Sequence, residues 1–465
     1  MNPNRRDAKS RDFFLEVKKM DGKTLSRRSF LAKSALFAPL TIVPRHVLGG
    51  VGHTPPSEKL NIAGVGIGGQ GASDLRHLAS QNIVALCDVD WGKAKRTFGA
   101  YPQASRYRDY RVMLDKQKDI EAVVVATPDH THAMISMEAI RHGKHVYTEK
   151  PLTHTVHEAQ ALAAAARKAG VATQMGNQGQ AGESSRRLRE AIWAGAIGPV
   201  REVHVWTDRP NRGLVDVYWP QGVDRPKETP TVPGKLDWDL FLGPAPTRPY
   251  HPAYHPFKWR GWWDFGTGAL GDIGCHSLDP VFRALKLGYP TGVQAVSTLV
   301  NKETYPSGSV VTYKFPARQD MPKLTLTWYD GGLKPPRPHE LDDGLRLGAG
   351  GTLFVGDKGK ILNNRILPDS RRKEFNAPDP HIEASPGHYQ EWINAAKGGA
   401  PAGSNFDWAG ALTEVILMGN VALRLDLREK LDRHALQWDA KARRFSNVPE
   451  ANEFLHVPYR EGWTL

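Results

Sequence analysis

The sequence predicts an α/β protein whose first domain is a doubly wound parallel sheet and whose second domain is an α+β fold with a large open, mostly antiparallel sheet. Three observations support this division. From residue 59 to about 176, short β-rich runs alternate with helical stretches, which is typical of parallel strands joined by right-handed crossovers. Beyond residue 180, β-rich runs follow one another through turns, as antiparallel strands do. A chain of 465 residues also exceeds what one hydrophobic core usually supports.

The first domain is expected to span residues 58–180. Its strands are short apolar runs, predicted at residues 61–66, 83–89, 122–127, 145–149 and 171–175. The clearest helix is the alanine-rich stretch 155–169, because Gly170 follows it as a stop signal.

The second domain is expected to span residues 181–465. A helix at 184–194 leads into strands predicted at 200–207, 292–300, 308–315 and 323–328. Long loops rich in Pro and Gly are predicted at 209–235, 330–350 and 366–386, and loops of this length are usually functional. Helices near 388–397 and 409–425 close the chain, and residues 459–463 form a tail that we expect to pack back.

Residues 1–57 are predicted to be an export leader and linker. Arg27 and Arg28 precede a mildly apolar run, residues 31–43, which is too short to span a bilayer. The pattern resembles a twin-arginine export signal and predicts a periplasmic protein with no stable membrane span once mature, although a chance Arg-Arg pair is the alternative. The first 50 residues carry 11 Lys and Arg against 4 Asp and Glu, so much of the net charge of +13 belongs to the leader. The charge therefore gives little support to nucleic-acid binding.

A glycine-rich turn follows the first predicted strand. Two GxGxxG frames fit, but only the one starting at Gly66 follows an apolar strand and is answered by Asp88 about twenty residues on. This is the pattern of a dinucleotide-binding Rossmann fold, with a glycine-rich surface turn as the alternative. Because Asp88 would repel a 2′-phosphate, the sequence favours NAD over NADP. The turn residues expected to contact the cofactor are Gly66, Ile67, Gly68, Gly69, Gln70 and Gly71.

Polar residues follow the next predicted strands, at the edge where open α/β sheets bind ligands. Thr127, Pro128, His130 and His132 are expected to contact the cofactor, although Asp129 or Thr131 could simply cap the following helix. At the end of the next strand, Glu149 and Lys150 are further expected cofactor contacts. Lys150 could stabilise an alkoxide as hydride leaves, or it could be a surface lysine.

Asp272 and His276 are four residues apart, so on a helix they share a face and the carboxylate can orient the imidazole. A histidine is a suitable base for an alcohol proton, although a helix cap and a core histidine are the alternatives. Nearby, Trp262, Trp263 and Arg260 are candidate substrate contacts, because indole faces bind sugar rings; core packing and nucleobase stacking are the alternatives. Cys87 and Cys275 suggest no disulfide. No HExxH or CxxC pattern occurs, so no metal is predicted.

The ordered set of glycine turn, Asp88, Thr127-Pro128, Glu149-Lys150-Pro151 and Asp272-x-x-x-His276 closely resembles the Gfo/Idh/MocA family of sugar and cyclitol oxidoreductases. The stretch 175–179, with Asn177 and Gln178 as further cofactor contacts, resembles the exported branch. The resemblance implies that His276 takes the hydroxyl proton, that Lys150 binds the reacting oxygen, and that Asp272 binds substrate and polarises His276. It also implies oligomers, a dimer or a tetramer, built through the open sheet. Family members often carry Arg where Gln70 stands, which again favours NAD.

The expected function is therefore NAD(P)-dependent oxidation of a secondary hydroxyl of a sugar or cyclitol by a tightly bound cofactor. The alternatives are a redox-neutral, NAD-dependent glycosidase or lyase that acts on a glycoside by transient oxidation and elimination, and a non-catalytic sugar-binding protein. The expected partners are a small-molecule substrate and further copies of the chain, with no nucleic acid.

Overall fold

A computed structural model describes Pro55 and residues 58–212, 216–425 and 435–465. The predicted export signal, including Arg27 and Arg28, lies outside the described residues. In the part of the chain that is described, no helix combines the length and apolarity needed to cross a membrane.

The first sheet has six strands, all parallel, in the order β3-β2-β1-β4-β5-β6. The strands are β1 Asn61–Val65, β2 Asn82–Cys87, β3 Ser105–Tyr107, β4 Ala122–Val125, β5 His145–Glu149 and β6 Thr173–Gly176. This arrangement confirms the predicted doubly wound sheet. The five predicted strands are all present. Strand β3 was not predicted, because it has only three residues and contains no apolar run.

Five α-helices connect these strands, namely α1 Gln70–His77, α2 Lys95–Ala100, α3 Tyr110–Lys116, α4 Asp129–Arg141 and α5 Val156–Ala169. Helix α5 shows why the sequence forms a helix here. The side chain of Thr155 accepts the amide of Glu158 while the Glu158 carboxylate accepts the amide of Thr155, and Gly170 ends the helix with a φ of +65°.

The second sheet has nine strands in the order β13-β12-β11-β7-β10-β9-β8-β14-β15. Its strands are β7 Val200–Trp206, β8 Gly292–Ser297, β9 Ser309–Phe315, β10 Leu324–Tyr329, β11 Gly351–Gly356, β12 Gly359–Leu362, β13 Arg365–Leu367, β14 Leu436–Asp439 and β15 Arg444–Phe445. Only β7 and β10 pair in parallel, so the predicted mostly antiparallel sheet is confirmed.

The remaining helices are α6 Glu183–Trp193, α7 Trp238–Leu242, α8 Gly268–Ser277, α9 Asp279–Leu285, α10 Asp369–Glu374, α11 His388–Ala396 and α12 Phe406–Leu425. Helix α12 packs against α5, α8 and β8 and is buried along most of its length. One hydrophobic core runs from β1 and β4 through α12 to β7, β9 and β10, and it holds the two sheets in a fixed relation.

The tail after residue 455 contacts both halves of the chain. The hydroxyl of Tyr459 donates to Glu158 in α5, and the amide of Arg460 donates to the carbonyl of Pro244. The guanidinium of Arg111 in α3 lies 4.7 Å from the ring of Trp463. The tail therefore closes over the gap between α3 and α7.

Candidate active site

A cavity of about 560 Å³ lies at the carboxyl ends of the first-sheet strands, and we refer to it as the cofactor cavity. One wall comes from the turns after β1, β2, β4 and β5, and the other from residues 240–276 and the tail. Of the sequence-predicted site residues, the cavity wall contains Gly66, Gly68, Gly69, Gln70, Asp88, Thr127, Pro128, Glu149, Lys150, Gln178, Arg260 and His276.

The turn after β1 has the geometry that a dinucleotide requires. Gly66 has a φ of +79°, and a Cβ placed there would lie 2.7 Å from the carbonyl oxygen of Ala126. A Cβ on Gly71 would lie 2.4 Å from the carbonyl oxygen of Gly66, so this glycine lets α1 pack close to the turn without lining the cavity. Helix α1 begins after Gly69 with no side-chain cap, which leaves its first amides open to an anion such as a pyrophosphate.

Asp88 lies directly after β2 at the same end of the cavity. Its carboxylate accepts the amide of Asp90 at 2.8 Å, and burial raises its pKa to about 6. Backbone hydrogen bonds from Ile67 and Gly68 oppose this rise, so the glycine turn and the acid hold one another in place. Ile67 itself is fully buried and contributes only its backbone.

Lys150, at the end of β5, forms a buried ion pair with helix α8. Its ammonium donates to the Asp272 carboxylate at 2.8 Å and to the Asp272 carbonyl at 2.9 Å. Arg260 donates from Nε to the same carboxylate oxygen at 2.9 Å. Burial alone would lower the pKa of Lys150, but the charge of Asp272 outweighs it and raises the pKa. Burial would likewise raise the pKa of Asp272, but Lys150 and Arg260 hold it well below its ordinary value.

His276 lies one helical turn beyond Asp272 and lines the cavity. Among the described residues, however, the hydrogen bonds of the Asp272 carboxylate run to Lys150 and Arg260, not to His276. His276 therefore makes no hydrogen bond to this carboxylate, because two cations occupy it, and Asp272 acts on His276 through its charge alone, which opposes the lowering of the His276 pKa. Burial, with the charge of Lys150 second, lowers the pKa of His276 to about 4, so the imidazole is neutral and able to accept a proton near pH 7.

Glu149 forms a hydrogen-bonded group behind Lys150. Gln178 donates a hydrogen bond to its carboxylate at 2.9 Å, and the hydroxyl of Tyr147 donates one to the same oxygen at 3.3 Å. Burial, reinforced by the carboxyl of Asp74, raises the pKa of Glu149 to about 8. A Cβ on Gly176 would lie 2.2 Å from a carboxylate oxygen of Glu149, so a larger residue there would displace this carboxylate.

Asp129 is a cavity residue to which the sequence gives two alternative roles, lining the cofactor crevice or capping the following helix. It is the first residue of α4, and Pro128 occupies the cap position. The hydroxyl of Thr267 donates to one of its carboxylate oxygens at 2.6 Å. Burial raises the pKa of Asp129 to about 7, despite the opposing hydrogen bond from Thr267 and the charge of Arg260. The cavity therefore contains a carboxyl group that titrates near neutral pH.

Two predicted cofactor residues are structural instead. The ring of His130 lies between the carbonyls of Phe265, at 3.2 Å, and Phe241, at 2.9 Å, and burial lowers its pKa to about 3. The ring of His132 lies between the carbonyls of Pro151 and Thr127, both at 2.8 Å. Neither lines the cavity, because the first turn of α4 directs both rings into the protein. Asn177 is also buried away from the cavity, with neither side-chain polar atom paired among the described residues.

The expected tryptophan contacts need a similar correction. Trp262 is fully buried and donates to the carbonyl of Ala253, and Trp263 is 3% exposed and donates to Asn301. Both belong to the core, because their indoles face inward from the turn that precedes α8. Trp259, in contrast, lines the cavity, and the centre of its ring lies 4.2 Å from the Arg260 guanidinium.

Several residues that line the cavity were not predicted from the sequence as site residues, among them Asp90, Lys93, Arg108, His255, Phe257 and Trp463. Only Lys93 and Asp90 carry a sequence signal, because they follow Asp88 in the same loop.

These features define an NAD-binding Rossmann domain joined to a second α/β domain. Residues 59–177 match the model of the Gfo/Idh/MocA oxidoreductase family described as an NAD-binding Rossmann fold, and residues 214–465 match its C-terminal alpha/beta domain. The chain therefore belongs to the Gfo/Idh/MocA oxidoreductase family, as the sequence predicts, and its cofactor is NAD.

Individual relatives match over shorter stretches. The inositol 2-dehydrogenase of Salmonella typhimurium is 32% identical over 146 residues, which are 30% of this chain and 43% of that protein. The glycosyl hydrolase family 109 protein 1 of Bacteroides fragilis is 33% identical over 136 residues, or 27% of this chain and 29% of that protein. The chain thus spans less than half the length of the curated relatives described here.

Among solved structures, the WlbA dehydrogenase from Bordetella pertussis, crystallised with NADH and UDP-GlcNAcA, superposes with a TM-score of 0.55 at 18% identity. The superposition covers 82% of this chain and 99% of that chain. At this identity, the likeness establishes the shared fold.

Proposed function

We propose that this protein is an NAD-dependent oxidoreductase that removes hydride from a secondary hydroxyl carbon of a sugar or cyclitol. The single observation that supports this most is the shared cavity, in which the glycine turn, Asp88 and Lys150 line one wall and His276 lines the other. The curated relatives point in the same direction, since inositol 2-dehydrogenase is named for oxidation of a cyclitol.

The residues of the cavity fit a dinucleotide. The uncapped start of α1 and the close packing at Gly66 suit a pyrophosphate, and Asp88 suits a ribose hydroxyl. When bound, NAD supplies the hydride acceptor. Asp88 also disfavours a 2′-phosphate, so we propose NAD over NADP.

The catalytic roles follow from charge and protonation. Lys150, whose raised pKa keeps it an ammonium, would donate a hydrogen bond to the substrate oxygen and stabilise negative charge as it develops there. His276, neutral near pH 7, would accept the hydroxyl proton at a ring nitrogen. Asp272 would keep Lys150 charged and in place. Arg260 and Trp259 offer a cation and an indole face to the rest of the substrate.

The test has two parts. Native mass spectrometry of protein purified without added nucleotide should show whether NAD remains bound. A panel of free sugars, inositols and their acids, each supplied with NAD, should then produce NADH with at least one member. If NAD binds but no polyol yields NADH or an oxidised product, the proposed dehydrogenase activity is wrong.

A redox-neutral glycosidase or lyase is the second candidate, and Asp129 is the observation that favours it. Elimination from an oxidised sugar needs an additional acid or base near the reacting carbons, and a cavity carboxyl with a pKa of about 7 meets that need. The similarity to a family 109 glycosyl hydrolase supports the same reading. Nitrophenyl glycosides incubated without added NAD separate the two candidates: phenol release without net NADH favours the glycosidase.

Two further parts of the proposal concern the location of the protein and its oligomeric state. Arg27 and Arg28 suggest export through the twin-arginine pathway, which carries folded proteins and would deliver the enzyme to the periplasm with its cofactor already bound. Fractionation of cells expressing the full chain and its Arg27→Lys, Arg28→Lys variant tests this. We also propose a homo-oligomer, which the same native mass spectra would reveal.

A further inference from the structure

The loop that follows Asp88 is joined to the C-terminal half of the chain. Residues 89–91 and 235–237 run antiparallel, and two backbone hydrogen bonds of 2.9 and 3.0 Å connect them. The guanidinium of Arg108 donates to carbonyls of both segments at 3.3 Å. The segment that leads into the second wall of the cofactor cavity, formed by residues 240–276, is therefore hydrogen-bonded to the loop after β2, where a ribose would bind.

One side-chain pair completes this connection. Nε2 of His255 lies 2.8 Å from Oδ2 of Asp90, while Oδ1 of Asp90 accepts the amides of Gly92 and Lys93 at 2.8 and 3.1 Å. Burial lowers the pKa of His255, although Asp90 opposes the shift, so the ring is neutral near pH 7. Because a carboxylate can only accept a hydrogen bond, Nε2 carries the proton and donates a hydrogen bond to Asp90.

The pair lies at the Asp88 end of the cavity. Asp90 is two residues beyond Asp88 and donates its amide to the Asp88 carboxylate at 2.8 Å. Asp90 and His255 both line the cavity, and their side chains are 15% and 12% exposed. The ring of His255 packs edge-on against Phe241, another cavity residue, at 5.0 Å. The pair therefore connects the two walls of the cavity next to the place where Asp88 would bind the ribose of a ligand.

We propose that Asp90 and His255 form a latch over the adenosine end of bound NAD, and that this contact opens each time the cofactor enters or leaves. The two residues are positioning residues that set how long the cofactor stays. The hydrogen bond is charge-assisted and largely shielded from water, so it is of the kind that is costly to break. The inference depends on NAD binding and not on which substrate is oxidised.

Dissociation of NADH tests the latch without any substrate. NADH bound to the purified protein is displaced by excess NAD in a stopped-flow instrument, and the loss of its bound fluorescence gives the dissociation rate. His255→Phe keeps the ring packed on Phe241 and removes both nitrogens. Asp90→Asn keeps the shape and the Oδ1 hydrogen bonds and removes the charge. Each variant should release NADH about tenfold faster or more, the effect of losing a hydrogen bond to a charged group.

The double variant separates a latch from two unrelated effects. Because both residues act through one contact, the double variant should release NADH no faster than the faster single variant. Asp357→Asn is the matched control, since Asp357 pairs with Arg201 at 2.9 Å across a similar sequence separation but outside the cavity, and its NADH release should not change.

Three results would overturn the latch: unchanged release in a folded Asp90→Asn protein, additive effects in the double variant, or equal acceleration in the Asp357→Asn control. Thermal melting shows whether each variant is folded, and the isosteric Asp90→Asn change keeps the test decisive if His255→Phe does not fold. A protein that holds NADH by this latch but oxidises no polyol would contradict the proposed function and leave the latch intact.

Discussion

Replacing Lys150 with methionine tests the centre of the proposed chemistry. Methionine has a similar length and no charge, so the change removes the ammonium that lies 2.8 Å from Asp272 while filling most of its space. Loss of one preorganised donor to a developing oxyanion typically lowers kcat by about 10²–10³-fold. We expect a fall of that order with the best substrate from the polyol panel, measured as initial rates of NADH formation.

The structure also predicts how the pH profile changes. The charge of Lys150 is the second cause, after burial, that lowers the pKa of His276. Without that charge the pKa of His276 rises, so the acidic limb of the rate profile should move to higher pH. Protonated His276 cannot accept the substrate proton, which fixes the sign of this shift. An unmoved acidic limb would contradict an electrostatic effect of Lys150 on His276.

Stability and cofactor binding provide the controls for this variant. Asp272 keeps its hydrogen bond to Arg260, so we expect the free energy of unfolding to fall by about 2 kcal/mol. Lys360→Met is the matched control, because Lys360 and Glu340 form a comparably shielded ion pair at 2.6 Å outside the cavity. It should lose stability without losing turnover. If Lys150→Met binds NADH normally and turns over at a rate close to that of the parent protein, the assignment of Lys150 is wrong.

Three further predictions concern the cavity wall. Gly66→Ala should destabilise the protein by about 1–3 kcal/mol in thermal melts and weaken NADH binding, because Gly66 has a φ of +79° and a Cβ there would lie 2.7 Å from Ala126. Gly69→Ala is the control and should not change stability, because a Cβ at Gly69 meets open space. Asp88→Ser should raise the affinity for NADP relative to NAD in parallel titrations by about tenfold, and an unchanged ratio contradicts the role of the carboxylate. Asp129→Asn should remove a rate dependence centred near pH 7 if that carboxyl acts in the reaction, and an identical profile assigns it no proton-transfer role.

The parallel sheet could be predicted because its central strands β1, β2 and β4 are contiguous apolar runs, and contiguity is a local property of the chain. Residues 122–125 show this best, since all four are buried and no polar residue interrupts them. The strands at 351–367 were not predicted, because they are short, half exposed and interrupted by turns at Gly356 and Asn363. The pairing of β11 with β7 depends on contacts across about 150 residues, which periodicity does not reveal.

The site residues also divide into those that a local pattern marks and those that only the fold brings to the cavity. The glycine turn, Asp88 and Lys150 were identifiable because each directly follows a strand whose carboxyl end faces the ligand edge. His255 and Trp463 reach the cavity only through the folding of the second half of the chain, and no local pattern marks them. His130 and His132 illustrate the opposite error. They lie beside a correctly predicted strand end, but the rotation of the first turn of α4 directs their rings inward.

Asp272 shows how a correct residue can have a different physical role from the one its spacing suggests. The four-residue spacing to His276 does place both on one face of α8, yet the carboxylate binds Lys150 and Arg260 instead. A carboxylate that polarised His276 would raise its pKa and strengthen it as a base. The charge of Asp272 does act in that direction, but burial and the charge of Lys150, which Asp272 keeps cationic, outweigh it and lower the pKa of His276. The proposed chemistry then relies less on a strong base than on a charged donor that lowers the pKa of the bound hydroxyl, so that a neutral imidazole is sufficient to accept the proton.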